Sequence, residues 1–240
     1  MIIPPTLPYQ GDNKLLASIS LCSEELHLFE LSLSRTRLAT GALILDKDID
    51  HVLFIEKGIV SPMVISTDGN SLGIAIIGNE GAVGLHGIGA GAYSLQARAL
   101  TEVEAMQIST RALDLACSRS RELESLLRHY SDLFIRDSMV MMACHYHHDL
   151  DERLPQWLLS VTERAGSNKL SITQEILAEA HGVTISAVSL VLEGMERKGL
   201  IQRARGQITV LNRRRLKSTA CRCYPAIDRG KKYIIKTRSL

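Results

Sequence analysis

The sequence predicts an α+β protein with an N-terminal jelly-roll-like β-roll, a long dimerisation helix and a C-terminal winged helix-turn-helix. Residues 31–110 alternate apolar and polar side chains between frequent glycines, which is typical of many short strands. Residues 121–150 contain neither glycine nor proline, which favours one uninterrupted helix. Residues 170–211 have the spacing of two short helices followed by a hairpin. The predicted modules of the 240-residue chain are the roll at 1–118, the dimerisation helix and hinge at 119–150, the winged helix-turn-helix at 151–217 and a basic tail at 218–240.

Composition predicts a globular protein of the cytoplasm. The chain is 45% hydrophobic and 22% charged. Its first residues have no basic start and include Pro4, Pro5 and Pro8, unlike a signal peptide. No apolar run approaches the ~20 residues of a membrane helix, so we expect no membrane partner. Five irregularly spaced cysteines favour a reducing compartment over a disulfide framework.

The net charge of +2 hides a strong asymmetry along the chain. Residues 151–240 contain 17 basic residues (Lys or Arg) and 8 acidic residues (Asp or Glu). Residues 1–150 contain 11 basic and 18 acidic residues. From residue 197 onward there are 14 basic residues and one acid, Asp228. The asymmetry indicates two domains, of which the basic one meets a polyanion. A solvated basic tail is the alternative.

The predicted roll follows a short helical segment at residues 14–30. Within it, the stretches HVLFIEKGIVSPMVIS and SLQARALTEVEAMQIS alternate apolar and polar residues. In the second stretch the apolar face passes through Val103 and Ala105 and then slips to Met106 and Ile108. Such a slip predicts a β-bulge.

The predicted long helix has two adjacent apolar rows with a heptad repeat. Two adjacent rows indicate a helix buried on more than one side. We expect one side to cover the roll and the other to meet a second copy of the chain; an ordinary core helix of a monomer is the alternative. The candidate residues are Leu126, Leu127, Tyr130, Leu133, Phe134, Val140 and Met141.

The most specific pattern is LSITQEILAEAHGVTISAVSLVLEGMERKGL, which predicts a helix-turn-helix. Thr173 and Thr184 are good N-caps for its two helices. Ala178 is small where the helices approach, and Gly182 supplies a permissive backbone at the turn. Gly199, followed by an apolar pair, is typical of a helix stop.

The following IQRARGQITVL predicts a wing with basic residues at its tip, and wing and motif together predict a DNA-binding domain. Hydroxyl and apolar groups predominate on the second helix, so we expect an A·T-leaning site that depends on DNA shape. The alternative is a winged helix that contacts only protein. The candidate DNA-binding residues are Thr173, Gln174, Thr184, Ile185, Ser186, Ser189, Leu190, Arg203 and Arg205.

Over nearly its whole length the chain resembles the Crp/Fnr superfamily of bacterial transcription regulators. Four segments carry the resemblance: HVLFIEKGIVS, GNEGAVGL, DERLPQWLLSV and the helix-turn-helix with the Leu-Ile that follows it. The resemblance implies a cyclic-nucleotide-binding-type roll and a homodimer that places two recognition helices in successive major grooves of a palindromic operator. RNA polymerase is then a further candidate partner. A ligand- or metal-sensing module whose winged helix contacts protein is the alternative function.

The effector cassette departs from the cyclic-AMP-binding members of that superfamily. Their cassette Glu falls on Val83 or Gly84 here, and Glu80 is too early. Their Arg-Ser pair falls on Tyr93 and Ser94, and Arg98 is nearby but belongs to the strand. A buried phosphate without a cation would be an unpaired charge. We therefore expect a degenerate pocket that does not bind cyclic AMP, and leave an unknown small-molecule effector open.

The stretch CHYHHDLDERL, residues 144–154, is rich in groups that bind metals. Cys144 and His148 share a helical face, and two chains at a two-fold axis could join two such pairs into a Cys₂His₂ zinc site. We favour a structural hinge in which Asp149 or Asp151 caps the next helix and Trp157 anchors it. We therefore expect no metal and no other cofactor.

Cysteine spacing does not fit an iron–sulfur cluster, and haem ligation stays open. No residue set has the spacing of a catalytic site, so we expect no enzyme.

Overall fold

The computed structural model describes residues 6–18, 20–22, 27, 29–45, 50–85 and 94–225, which form an α+β fold. The strands are β1 Thr6–Pro8, β2 Ser20–Cys22, β3 Ser34–Leu38, β4 Leu43–Leu45, β5 His51–Lys57, β6 Val60–Ile65, β7 Ser71–Gly73, β8 Ala82–Val83, β9 Ser94–Ala99, β10 Val103–Ser109, β11 Lys169–Leu170, β12 Ile201–Ala204 and β13 Gln207–Val210. The helices are α1 Thr110–Arg119, α2 Arg121–His147, α3 Leu150–Ala165, α4 Gln174–His181, α5 Ile185–Arg197 and α6 Arg213–Thr219. A 3-10 turn at Leu16–Ser18 precedes β2.

The N-terminal part is a roll of two four-stranded antiparallel sheets, which confirms the predicted fold class. One sheet has the strand order β3-β10-β5-β8 and the other β4-β9-β6-β7. Apolar side chains of both sheets, such as Ile55 and Ala99, share one buried cluster. The register between β10 and β5 shifts between Glu104 and Ala105, next to the slip in the sequence pattern.

The predicted helix at residues 14–30 is wrong in one part. Residues Ser20–Cys22 form β2, which pairs antiparallel with Thr6–Pro8. A strand of three residues is too short to show a period, and its pairing with the N-terminal segment overrides the local preference.

Helix α2 is the predicted long helix, and its ends follow its caps. The side chain of Ser120 accepts a hydrogen bond from the backbone nitrogen of Leu123, which satisfies one free amide at the start. The helix continues for 27 residues to His147, or about 40 Å at 1.5 Å per residue.

The C-terminal part is a winged helix-turn-helix. Helices α3, α4, α5 and α6 surround a core that includes Trp157, Leu177 and Leu192, and the small sheet has the order β11-β13-β12. The same cluster takes in Ile59 and Leu100 of the roll. Roll and winged helix therefore pack against each other through apolar side chains.

Ionic contacts join the same two parts. The Nε of Arg164 on α3 donates to the Oε1 of Glu80 in the roll at 2.6 Å, with both side chains 6% exposed. Arg98 on β9 pairs with Glu179 on α4 at 2.5 Å. The Glu80–Arg164 pair in particular holds the winged helix on the roll, because two buried charges lose their partners if the parts separate.

The predicted basic tail begins inside an ordered helix. Helix α6 ends at Thr219, beyond the predicted boundary at 217. Cys221 and Tyr224 are buried, and the backbone nitrogen of Cys221 donates to the carbonyl of Glu152 at 3.1 Å. We therefore assign residues up to 225 to the winged-helix module; 226–240 lie outside the described residues.

Among the described helices, none is by itself long and apolar enough to cross a membrane. Helices α4 and α5 meet that length and composition only as a pair, which is bent by 108°.

Candidate nucleic-acid interface

Helices α4 and α5 meet at a tight turn built from the residues that the sequence singled out. The side chain of Thr173 accepts from the backbone nitrogen of Ile176, and that of Thr184 accepts from Ala187. Gly182 ends α4 in the left-handed conformation with φ 63°, where a side chain would be strained. The sequence therefore fixes the 108° bend between the two helices locally.

Helix α5 has one buried face and one face open to solvent. Val188 and Leu192 are fully buried in the core. On the open face Ile185 and Leu190 are 47% and 66% exposed. Ser186 is exposed, and its hydroxyl lies 2.9 Å from that of Thr184. Ser189 is only half-buried and lies at the edge of the open face.

The wing carries two arginines in different settings. Arg205 is exposed at the β12–β13 turn. Arg203 is half-buried, and its Nε donates to the Oε2 of Glu196 at 2.9 Å while its backbone nitrogen donates to the Oε1 of the same carboxylate. Arg203 therefore joins the wing to α5, a contact that the sequence analysis did not predict. Local spacing gave no sign of it, because the residues belong to different elements.

A groove of about 360 Å³ separates the wing from the start of α4. Thr173, Gln174 and Arg205 line it, together with Glu175. The pKa of Glu175 is lowered, first by the hydrogen bond with Thr173, so the carboxylate stays ionised at neutral pH. Glu175 is an acidic member of this groove that the sequence analysis missed.

Further cations lie on the surface of the winged helix. Arg197 and Lys198 at the end of α5 are exposed, as are Arg214 and Arg215 on α6. Arg213 instead donates to the hydroxyl of Thr162 at 2.9 Å and pairs with Glu163. The basic run Arg213–Arg215 therefore divides into one structural residue and two exposed ones.

The predicted cassette residues do not form one cluster of polar groups. Glu80 is paired with Arg164, and Val83 is buried in β8. Gly84 follows at φ 98°. Arg98 pairs with Glu179 and donates to the carbonyl of Gly41 at 3.0 Å. Tyr93 lies outside the described residues, as does the side chain of Ser94.

Roll, α2 and α3 line a cavity of about 40 Å³ beside Glu80, Tyr130, Asp137 and Arg164. The Tyr130 hydroxyl donates to the carbonyl of Ala82 and accepts from its nitrogen. Burial raises the pKa of Asp137. The volume suits a water molecule and is far below the ~300 Å³ of small-ligand pockets.

All seven predicted dimer residues of α2 contact apolar clusters of the same chain. The four buried ones are Leu127, Tyr130, Leu133 and Met141, and the three half-buried ones are Leu126, Phe134 and Val140. Both heptad rows therefore contact the rest of the chain, and the dimer role of their half-buried members stays a prediction. Neighbouring positions lie about 100° apart around a helix, so both rows fit one broad face covered by roll and winged helix.

A different apolar row of α2 is exposed. Ile135 is 46%, Met139 60%, Met142 46% and Tyr146 85% exposed. Their spacing of four, three and four residues places them on one side of the helix. The rows chosen from the sequence left it out, although Ile135 and Met142 are also seven residues apart, as are Met139 and Tyr146.

At the hinge, Cys144 and His148 lie beside Cys221 and Cys223, two residues that the sequence analysis assigned to the tail. The donor atoms of Cys144, His148, Cys221 and Cys223 all lie within 4.8 Å of one another. The expected hinge features are present in part: Asp149 is at the N-cap of α3 without a side-chain capping bond, and Trp157 is buried. The two further donors beside Cys144 and His148 belong to the same chain, whereas the sequence suggested donors from a two-fold mate.

This geometry defines a protein with a winged helix-turn-helix DNA-binding domain packed against a roll of antiparallel sheets. Residues 152–219 match the family model of the Crp-like helix-turn-helix domain. No curated protein matches the chain.

Several solved structures share this fold. A protein of Eubacterium rectale, described as a transcriptional regulator of that family, has a TM-score of 0.69 at 20% identity and covers 83% of this chain and 94% of its own. FixK2 from Bradyrhizobium japonicum has a TM-score of 0.65 at 19% identity, and the match covers 79% of this chain and 98% of that one. CLP from Xanthomonas campestris, a c-di-GMP-responsive regulator, has a TM-score of 0.64 at 16% identity, and the match covers 79% of this chain and 99% of that one. The chain thus contains a Crp-like helix-turn-helix domain within the Crp/Fnr regulator fold.

Proposed function

We propose that the protein is a homodimeric transcription regulator that binds a palindromic DNA operator without cyclic AMP. The observation that carries the proposal is the open face of α5 beside an exposed basic wing tip. An α-helix fits the major groove, and a wing arginine reaches the adjacent phosphates. Nothing in this arrangement acts on a substrate, and we propose no catalytic function.

The open face of α5 supports modest direct readout. Ile185 and Leu190 present apolar surface suited to the methyl groups of thymine. Thr184 and Ser186 offer hydroxyls that accept or donate to several bases. We therefore propose an A·T-leaning operator that is also read through DNA shape.

Phosphate contacts supply most of the affinity in this proposal. Thr173 and Gln174 stand at the N-terminus of α4, where free amides and the helix dipole favour an anion. Arg205, Arg197 and Lys198 add positive charge. Glu175 opposes them within the same groove and limits how deeply a phosphate enters.

We assign the dimer contact to the exposed row Ile135, Met139, Met142 and Tyr146. A second copy is the fitting occupant, because an isologous contact pairs a helix with its own mate and places two α5 helices about a two-fold axis. That symmetry matches a palindrome with half-sites about 34 Å apart.

The proposed lack of cyclic AMP binding rests on the charges near the cassette. Arg98 is engaged by Glu179, and Glu80 by Arg164. Glu80 would have to leave a buried partner in order to meet a nucleotide, which costs roughly 3–5 kcal/mol. Arg98 would have to leave Glu179, which is partly exposed and costs less to abandon. We place the regulator in the cytoplasm, with RNA polymerase and an unidentified effector as open partners.

Fluorescence anisotropy with a mixed-sequence duplex tests the proposal, with and without cyclic AMP and over a range of salt concentrations. We expect binding that weakens steeply with salt and does not respond to cyclic AMP. Sedimentation of the same sample should give a dimer. A monomer that does not bind duplex DNA would contradict the proposal and favour a winged helix that contacts protein. Tightening by micromolar cyclic AMP would contradict the degenerate pocket.

A further inference from the structure

We infer that Cys144, His148, Cys221 and Cys223 form a zinc-binding site of the Cys₃His type within one chain. The site does not depend on DNA binding and goes beyond the proposed function. Its four donors come from two places, namely the end of α2 and the segment after α6.

Helix geometry positions the first two ligands. Cys144 is in the last turn of α2, and His148 is its C-cap, four residues later. The backbone nitrogen of His148 donates to the carbonyl of Cys144 at 3.1 Å, so both side chains leave the helix on the same side.

The segment after α6 is held against α3, and this contact positions the other two ligands. The backbone nitrogen of Cys221 donates to the carbonyl of Glu152. Tyr224 is buried, and its hydroxyl donates to the Oε2 of Glu163 at 2.7 Å. Cys223 lies between these two anchors, so the chain presents both thiols to the end of α2.

The donor distances fit a tetrahedral ion. The Sγ atoms of Cys144 and Cys221 are 3.4 Å apart, and the Sγ of Cys223 is 3.7 Å from the Nδ1 of His148. A tetrahedron with zinc–sulfur bonds of 2.3 Å and a zinc–nitrogen bond of 2.0 Å has edges of roughly 3.5–3.8 Å. The four donors therefore need only small shifts to enclose one ion.

Burial and charge favour zinc at this position. Cys144 and Cys221 are buried, whereas His148 and Cys223 are half-buried, which leaves a path for entry. Three thiolates this close repel one another, and a divalent cation removes that repulsion. Three thiolates and one imidazole make up a closed structural zinc set. A Cys144–Cys221 disulfide would use only two of the four converging groups.

The site would close a long loop of the chain. Cys144 and Cys221 are 77 residues apart and enclose the whole winged helix. A metal clip across such a loop restricts the unfolded chain and holds the winged helix to the end of α2.

Metal analysis of the full-length protein, purified under reducing conditions with zinc present, tests the site. We expect about one zinc per chain in the wild type and in Cys117→Ser, which removes a thiol on α1 far from the site in sequence. The double variant Cys221→Ser and Cys223→Ser should lose nearly all of it. Zinc content equal in all three proteins, or absent from the wild type, would overturn the assignment.

Cobalt substitution separates a tetrahedral thiolate site from adventitious metal. Co²⁺ added to the zinc-free wild type should give the intense visible bands of a tetrahedral thiolate complex, and Zn²⁺ should abolish them. If the double variant does not fold, His148→Ala at its half-buried position should still weaken zinc binding about tenfold or more and change the spectrum. An octahedral spectrum, or a Cys144–Cys221 disulfide found by mass spectrometry in protein that binds no metal, would contradict the site.

Discussion

Two arginines on the wing show how a single contact changes a residue's expected role. Arg205 at the exposed tip is available to a phosphate, whereas Arg203 is held by Glu196. We predict that Arg205→Ala weakens binding to all duplexes alike and lowers the slope of log affinity against log salt by about 1. The measurement is anisotropy across a salt series.

Arg203→Ala is the matched comparison for that variant. Its loss frees the carboxylate of Glu196 and loosens the wing. We therefore expect the affinity for DNA to fall, with a smaller change in the slope of log affinity against log salt than in Arg205→Ala. Equal slope changes for the two variants would place Arg203 on the phosphates as well.

Ser186 is expected to govern sequence preference more than overall affinity. Its hydroxyl is exposed on α5 and within hydrogen-bond distance of Thr184. We predict that Ser186→Ala shifts the preferred bases within each half-site while affinity for mixed-sequence DNA stays within a factor of about 3, since one neutral hydrogen bond contributes little. Selection from a random duplex library measures both; Ser118→Ala on α1 is the control. Identical preferences in variant and wild type would count against α5 as the recognition helix.

Local features at the residue scale were predictable from the sequence. The caps Thr173 and Thr184 and the turn at Gly182 depend on neighbours within a few residues, and the structure confirms them. The pair of Arg203 with Glu196 was not predictable, because it depends on how the wing folds back on α5.

At the scale of the element, α2 is the part that the dimer proposal depends on. Met139 and Met142 lie in the centre of its exposed row. We predict that Met139→Glu with Met142→Glu converts the dimer to a monomer, since four like charges would meet at the two-fold axis without solvent. Sedimentation at several concentrations checks this.

Leu115→Glu is the control for that double variant, because Leu115 is 54% exposed on α1 and outside the row. It should remain a dimer. A double variant that still sediments as a dimer would move the interface away from this face of α2.

The existence of α2 was readable from its composition, but the side that faces outward was not. The heptad rows indicated apolar surface without saying which surface the rest of the chain would cover. Roll and winged helix together cover both rows, and this depends on tertiary packing across the whole molecule.

At the scale of the whole molecule, a buried histidine of the winged-helix module packs against the end of α2. His181 on α4 is 2% exposed and packs on His145 and Trp157. Burial, then the nearby His145 and Arg153, holds its pKa well below the usual value. Its neutral form is therefore stabilised in the fold.

This burial predicts a pH-dependent stability with a definite sign. The unfolded chain takes up a proton near pH 6.5 and the folded chain does not, so stability is present above that pH and is lost below it. We predict that the free energy of unfolding falls between pH 7 and pH 5 in the wild type and falls less in His181→Phe. Urea titrations at each pH measure it, with exposed His129→Gln as control. Parallel curves for wild type and His181→Phe would contradict the prediction.

Long-range proximity is what sequence reasoning could not reach. The pattern CHYHHDLDERL left metal binding as the less favoured interpretation, because Cys221 and Cys223 join it only through the fold, 77 residues after Cys144 in the case of Cys221. The ion pair of Glu80 with Arg164 likewise spans 84 residues. The fold class itself was predictable, because periodicity and turn residues repeat within each module.

Selection of fragmented genomic DNA on the purified dimer, without added ligand and followed by sequencing, tests the central claim most directly. The account predicts enrichment of one two-fold-symmetric motif, with A·T-rich half-sites about 10 base pairs apart. An asymmetric motif, or no enrichment over the Met139→Glu/Met142→Glu variant, would contradict it.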